Sequence, residues 1–464
     1  MDANRLFERR PSPPCIVQRT LPGRHDLLGL HARKPARYPF LLESAVQGGP
    51  RARYDILFAF PGASLTLAQS GSLAGGFLHA LDRAWQAERT PRDATPLLPF
   101  TGGWFLYLGY ELASEIEPTL RLPAPEDDFP VACATRIPAA ILYDTERNET
   151  HLMAESGQAA LLDALEADVL EGRANAPTHH PASTNRHPLL AAPLFEERAG
   201  RYLDHVQRIK DYIAAGDIFQ ANLSRLWQGR LLDGTSNNEI YARLREQNPA
   251  PFAGLVSFGE RSILSSSPER LVERRGSLLQ TRPIAGTRPR GKDDASDRGQ
   301  TQNLLANPKE RAEHIMLIDL ERNDLGRVTL PGSLAVDEFM SIETYAHVHH
   351  IVSNVCGRVA PETTPGDIIR AVFPGGTITG CPKVRCMEII AELEGTGRGP
   401  YTGAIGYLNR DGDMDLNILI RSILCEGNRV SIRAGAGIVA DSVPERELEE
   451  TRDKARGMVR ALTQ

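Results

Sequence analysis

Two segments of the chain place carboxylates at helical spacing. Residues 307–323, NPKERAEHIMLIDLERN, offer Asn307 as an N-cap, Pro308 at the first helical position and Glu310 three residues after the cap. Glu313 follows one turn later, so both carboxylates face one side. Residues 442–462 repeat the arrangement: Ser442 is the expected cap, Glu445 its capping-box partner, and Glu447, Glu450 and Lys454 are spaced to share a face. Either pair alone reads equally well as a solvated helix surface. Together they suit a hard divalent cation, because magnesium takes a few carboxylates, keeps several waters and binds an oxygen-bearing substrate. Such an ion calls for an anion beside it. In RAGAGIVAD (433–441), the small residues Gly435, Ala436 and Gly437 would let the backbone approach an anion closely, or would simply turn a strand tightly into a helix. Arg421, expected on a strand within MDLNILIRSI, could grip a carboxylate through two hydrogen bonds, with Lys454 as a second cation. These groups sketch a site for a small polyanion.

The elements that must carry them divide the chain into three parts. Residues 1–155 alternate apolar runs such as ARYDILFAF, GGWFLYLGYEL and AAILYD with Gly/Pro turns, a strand-rich domain pattern. Residues 156–197 hold a helix and then a segment of breaker composition, read either as a linker or as a surface excursion within one domain. Residues 198–464 open with the amphipathic helix RYLDHVQRIKDYIAAG and continue into strands at QANLSRLWQGRLL and GLVSFGERSILSSSPERLVERR. With 464 residues, 41% of them hydrophobic, the chain can bury a large core. Its six cysteines form no C-x-x-C pair, so neither a disulfide framework nor a zinc ribbon is expected. MDANRLFERRPSPP lacks the apolar segment of a signal peptide, no run is long enough to span a membrane, and the cytoplasm is the expected compartment. A net charge of −6 spread along the chain argues against an extended nucleic-acid surface.

In order, PIAGTRPRG, KERAEHIMLIDLERNDLGRV, ETYAHVHHIVS, FPGGTITGCPKVRCMEIIAELE, GPYTGAIGY, LIRS and AGAGIVADS resemble the chorismate-utilising family, which includes anthranilate, aminodeoxychorismate, isochorismate and salicylate synthases. The resemblance implies an α+β fold, a two-layer α/β sandwich of the anthranilate synthase component I type with large antiparallel sheets and surrounding helices. It also implies Mg2+-dependent chemistry on chorismate, a cyclohexadiene with two carboxylates. Carried over by motif, Glu313 and Glu450 correspond to direct magnesium ligands, and Glu310 and Glu447 to supporting carboxylates. Arg421, Tyr401, Gly435, Ala436, Gly437 and Lys454 fall at substrate contacts. Glu269, in SSSPERL, matches the acid that protonates the departing C4 hydroxyl. His347, in YAHVHH, matches the active-site histidine, and Thr377 lines the ring. In TRPIAGTRPRG (281–291), read as a tight loop, Ala285, Gly286 and Thr287 would lie against the ring while the arginines brace the loop.

Family members divide by nucleophile. Those that add water have a lysine where this chain has Gln220, so the resemblance favours ammonia, supplied by a separate glutamine amidotransferase subunit because no G-x-C-x-G elbow occurs here. Two ammonia-using reactions remain. Many aminodeoxychorismate component I chains carry a lysine in PI-x-GT that attacks C2, and Ala285 in its place favours anthranilate formation. FPGGTITGCPKVRC and GDIFQANLSR instead resemble the aminodeoxychorismate form, which is the expected function, in para-aminobenzoate and folate biosynthesis. PFLLESA (39–45) resembles the family's tryptophan-binding segment, implying a site with Leu42, Glu43 and Ser44. A reading of another class is an inactive tryptophan sensor or glutaminase scaffold, opposed by the retained Glu269, Arg421 and four metal-site glutamates.

Overall fold

The computed structural model describes residues 15–45, 53–92, 98–174, 187–291, 293–344 and 348–464. His347 lies outside them. The strand-rich composition resolves into two large sheets, one of twelve strands and one of ten, in which every assigned strand pairing is antiparallel. Neither sheet belongs to one half of the sequence. In the larger, Phe40–Glu43 pairs with Phe252–Phe258, joining the strands of residues 16–155 to those of residues 220–438. In the smaller, Gly103–Leu108 pairs with Ala404–Asn409 and makes the equivalent join.

Alternation along these strands sorts side chains into three apolar layers. Between the sheets lie Phe40, Phe58, Phe105, Val256, Ile405 and Tyr407, with Phe40 stacked on Phe105 at 4.0 Å between ring centroids. The outer face of the larger sheet packs Trp227, Leu264 and Ile432 against helices bearing Leu165, Tyr241 and Met458. That of the smaller sheet packs Trp104, Val272 and Leu416 against Phe77, Ile318 and Ile369. The α+β expectation therefore holds, as two stacked sheets with helices on their outer faces.

The local expectations fare unevenly. The amphipathic helix spans Ala199–Ala214 and buries Tyr202, Val206 and Ile209. A helix runs from Pro308 to Gly326, and Asn307 accepts a bond from the Glu310 amide at 3.4 Å. The C-terminal helix starts differently from the Ser442 cap expected. It runs Pro444–Thr463 with Val443 at the cap position and no side-chain cap, while the Ser442 hydroxyl accepts from the Val439 amide. Pro444 supplies the start instead, with a fixed φ and no N–H to satisfy. Segment 281–291 is mostly strand rather than loop: Ile284–Pro289 pairs with Val348–Arg358, with a bulge between Ala285 and Thr287.

A buried ion pair fastens the inner strands. Glu394 and Arg398 meet at 2.7 Å with side chains 3% and 1% exposed. Arg398 also donates to Asn222 O at 2.6 Å and Ile378 O at 3.0 Å, and Glu394 accepts from the Ser224 amide and hydroxyl. Removing Arg398 leaves the Glu394 charge buried with only the longer contact to Arg433 at 3.6 Å, and removing Glu394 takes from buried Arg398 its 2.7 Å carboxylate. We predict that Arg398→Met lowers the unfolding free energy by about 3–5 kcal/mol in denaturant titration, and that Arg398→Met combined with Glu394→Leu recovers part of the loss.

Candidate active site

The site forms where the chain changes sheets. Strand Arg261–Ser267 belongs to the larger sheet and Arg270–Arg275 to the smaller, so Glu269 sits on the crossover. Met414–Asn417 and Ser422–Glu426 make the reverse passage, with Arg421 at its end. The crossovers run side by side: the Ile418 amide donates to Glu269 O at 3.0 Å and the Ser266 amide to Arg421 O at 3.1 Å. Arg421 is thus not on a strand as expected; its φ of +51° turns the chain into the next one.

Burial pushes the Glu269 carboxyl up to about 7, with Thr377, Lys454 and Arg421 pulling it down. Glu269 is 7% exposed. The Thr377 hydroxyl faces it from the Gly376–Ile378 turn and is itself buried without a hydrogen-bond partner. Burial pulls the Arg421 guanidinium below its usual value, and Glu269 opposes that. A carboxyl that keeps its proton near neutrality beside a half-buried cation lets the pocket both bind an anion and protonate a leaving group.

Gly435 and Gly437 lie in the C-terminal half of the Arg429–Ile438 strand, paired with Ser224 and Asn222 respectively, not in a turn. They leave room. A Cβ on Gly435 would come within 2.7 Å of Asn222 Oδ1 and 2.8 Å of the Tyr401 hydroxyl, and one on Gly437 within 2.2 Å of Gln220 Nε2. Gln220 Oε1 and Asn222 Oδ1 are buried without partners. Lys454 donates to Gly435 O at 3.0 Å. Ala436, between the two glycines, packs instead with Val206, Cys386 and Ile438 on the helix side, so its methyl does not join the group.

The bulged strand contributes the other wall. Gly286 has φ +63°, and a Cβ there would strike Glu310 Oε2 and Leu304 Cδ1 at 2.8 Å. Half-buried Ala285 pairs with Ile351 and Thr287 with His350. His350 Nδ1 donates to Gly286 O at 3.3 Å, which fixes the tautomer. Burial and Arg421 push its imidazole down to about 4, leaving it neutral. It is a neighbour that the choice of His347 overlooked. The arginines of 281–291 do brace the segment: Arg282 holds Glu338 and Glu343, Arg288 holds Glu310 at 3.1 Å, and Arg290 holds Asp297.

The four glutamates lie on two helices. Glu310 engages Arg288 and Glu450 engages Lys454 at 2.7 Å; Glu447 is buried and Glu313 half-buried. Among the described residues no three His, Cys, Asp or Glu side chains converge for a metal. The donor chemistry still fits magnesium, which takes one or two carboxylates with waters and substrate oxygens. Elsewhere, Leu42, Glu43 and Ser44 line a cavity of about 690 Å³ with Arg53, Phe252 and Asn417. The Ser44 hydroxyl there is buried without a partner, and Glu43 is held by Arg245 at 2.8 Å.

Residues 39–460 match the family model described as chorismate binding enzyme. The chain belongs to the chorismate-binding enzyme family. It is 44% identical over 373 residues to aminodeoxychorismate synthase component 1 of Bacillus subtilis, covering 78% of this chain and 77% of that one. It is 43% identical over 365 residues to an anthranilate synthase component I-like protein of Synechocystis, covering 79% and 73%. The structure of anthranilate synthase component I from Streptococcus pneumoniae superposes with a TM-score of 0.78 at 31% identity, covering 89% of this chain and 94% of that one. This chain is therefore a chorismate-utilising enzyme of the anthranilate/aminodeoxychorismate synthase type. Among the described residues no helix is long and apolar enough to cross a membrane.

Burial of Glu269 has a stability consequence. Its folded value of about 7 exceeds the ordinary 4.5, so between these values the unfolded chain releases the proton that the folded chain keeps, and stability falls as pH rises. The contribution is present below the lower value and lost through the upper. We predict that Glu269→Gln, free of this term, is more stable than the wild type at pH 8 by about 2–3 kcal/mol and no more stable at pH 4, measured by denaturant titration at both values.

Proposed function

We propose that the chain aminates chorismate to 4-amino-4-deoxychorismate, the reaction of an aminodeoxychorismate synthase component I, and so serves para-aminobenzoate and folate biosynthesis. The observation that carries amination is the pocket itself: a buried carboxyl, Glu269, beside Arg421 and Lys454, with the neutral amides of Gln220 and Asn222 on the adjoining strand. Glu269 gives its proton to the departing C4 hydroxyl, which leaves as water while a C–N bond forms on the ring. Arg421, Tyr401 and Lys454 hold the substrate carboxylates, and His350 stays neutral beside Gly286. Glu310, Glu313, Glu447 and Glu450 would hold magnesium, which supplies an electrophile for the ring carboxylate. Lacking a base at Gln220, the site takes ammonia rather than water, delivered by a separate glutamine amidotransferase subunit.

The product assignment rests on FPGGTITGCPKVRC, whose turn carries Thr377 against Glu269. Ala285 favours a second product, anthranilate, because no lysine there can form a ring adduct. The cavity bearing Ser44 fits tryptophan as an amphiphilic amino acid, since apolar walls at Leu42 and Phe252 adjoin charged groups.

With chorismate, magnesium and ammonium, we expect 4-amino-4-deoxychorismate as the product, and no glutamine-dependent turnover until a glutaminase subunit is added. Chromatographic identification of anthranilate would reverse the product assignment, and isochorismate would reject ammonia as the nucleophile. Glu313→Gln and Glu450→Gln should each cut magnesium-dependent turnover at least ~100-fold, beyond the 10–100-fold usual for groups outside the coordination shell, with the unfolding midpoint unchanged. Near-normal turnover in either variant would remove that residue from the metal site.

A further inference from the structure

The helix Pro308–Gly326 carries ionisable groups well past the pair assigned to magnesium. At 100° per residue, positions 310, 313, 317, 321 and 324 form one stripe, so Glu321 and Asp324 extend the face that bears Glu310 and Glu313. Both are buried, at 6% and 1% exposure. Asp324 Oδ2 accepts from Lys383 Nζ, the first residue of the Lys383–Glu394 helix, whereas Asp324 Oδ1 is buried without a partner. The Lys383 side chain is 13% exposed and lines a small recess with Glu117, Arg327 and Arg370; of these, Arg327 is exposed.

The inner end of this line meets the active site. Glu321 Oε1 is 3.6 Å from the position a Cβ would take on Gly376, one residue from Thr377, whose hydroxyl faces Glu269. The Thr281 hydroxyl, which donates to Leu271 O at 3.0 Å, also lies beside Glu321, and the charge of Glu269 adds to the upward push on Glu321. Burial, with Asp324, pushes Glu321 up to about 8, so Glu321, like Glu269, holds a proton near neutrality. The chemistry assigned to the pocket gives none of these three groups a task.

We propose that Lys383, Asp324 and Glu321 form a proton path from the surface that reloads Glu269 after each turnover. The inference rests on Glu269 acting as the acid. Once the Glu269 proton has left with the C4 hydroxyl as water, the Glu321 O–H bond breaks as a new one forms on Glu269. Lys383 and Asp324 pass a proton inward to Glu321, and solvent restores Lys383. The proton shed by the attacking ammonia returns to solvent, so the count balances over a cycle. Glu321 acts through Glu269 and does not touch the ring.

Glu321→Gln keeps the shape but has no acid to transfer. With enzyme in excess over chorismate, the variant should complete a single turnover at the wild-type rate. With chorismate in excess it should release one equivalent rapidly and then run at least ~10-fold slower, a modest part of the 10²–10⁴ that general acid–base catalysis supplies, with an enlarged solvent deuterium isotope effect. Asp324→Asn combined with Lys383→Met removes the charges as a pair and should show the same split with Glu321 intact. A purely structural role would lower both rates together, and either that result or two unchanged rates overturns the path. Glu269→Gln separates the two readings: if it still turns over, the acid assignment fails, whereas an inactive Glu269→Gln with an unsplit Glu321→Gln defeats the path alone.

Discussion

Two chain segments pass from one sheet to the other side by side, and the pocket exists because they do. At each crossover the backbone leaves its ladder, and its amides and carbonyls need new partners in a place closed to water. Each segment supplies the other: Ile418 donates to Glu269 O and Ser266 to Arg421 O. That reciprocity fixes Glu269 and Arg421 on adjoining crossover segments, with Glu269 buried and Arg421 half-buried. The cost of desolvating the two groups is partly offset by their mutual attraction, which draws Glu269 down and Arg421 up against burial. An acid with its proton retained and a cation held ready follow from one topological event.

Such a crossover requires both sheets to be in place, and neither half of the chain builds one. Phe40–Glu43 and Gly103–Leu108 each sit between strands from the two ends of the sequence. Unpaired, the Phe252–Phe258 and Ala404–Asn409 strands would expose edges rich in apolar residues. The Phe40–Phe105 stack then ties the two joins together across the interior. Behind the pocket, Arg398 bonds Asn222 O and Ile378 O, linking the strand with the unpartnered amides to the turn that presents Thr377. A buried ion pair of this kind adds little net stability over an apolar pair; its contribution is to set the distance between two walls.

How much of this was legible in the sequence depended on whether the signal was local. The Asn307–Pro308 start, the Ala199–Ala214 helix and the strand at Gln220 follow from capping and periodicity, and they were readable. Arg421 was placed on a strand because MDLNILIRSI alternates, yet the chain leaves one sheet within that run, and alternation says nothing about which sheet a strand joins. The glycines of RAGAGIVAD looked like a turn. They are strand residues whose missing side chains make room for Tyr401 and for Gln220 and Asn222, the last two on a strand some two hundred residues distant. Ser442 lost the cap to Pro444 because two adequate start signals stood two residues apart. Glu321 and Asp324 are legible from spacing alone, since they continue the stripe begun at Glu310.

The pocket also explains why similarity does not separate the two ammonia-using products. On the proposed function, identities of 44% and 43% to proteins carrying the two names are what a shared acid and shared carboxylate contacts would give, because both reactions would then lose the C4 hydroxyl from the same bound ring. Selection between them must fall on groups that touch the ring after that step. The structure offers two walls of this kind. One is the Gly376–Ile378 turn, held by Arg398 and facing Glu269. The other is the bulge at Gly286, held by Arg288 through Glu310 and by His350. Ala285 lies at the second, where a longer side chain would meet the ring only if the bulge kept its present shape. At Gly286, with φ +63°, a Cβ would press on the end of the Glu310 side chain, so the bulge abuts a carboxylate that the proposed function assigns to magnesium. On the proposed function, the residue at 285 therefore lies one position from the glycine that abuts the helix face that would hold magnesium, and its type is weighed together with that face.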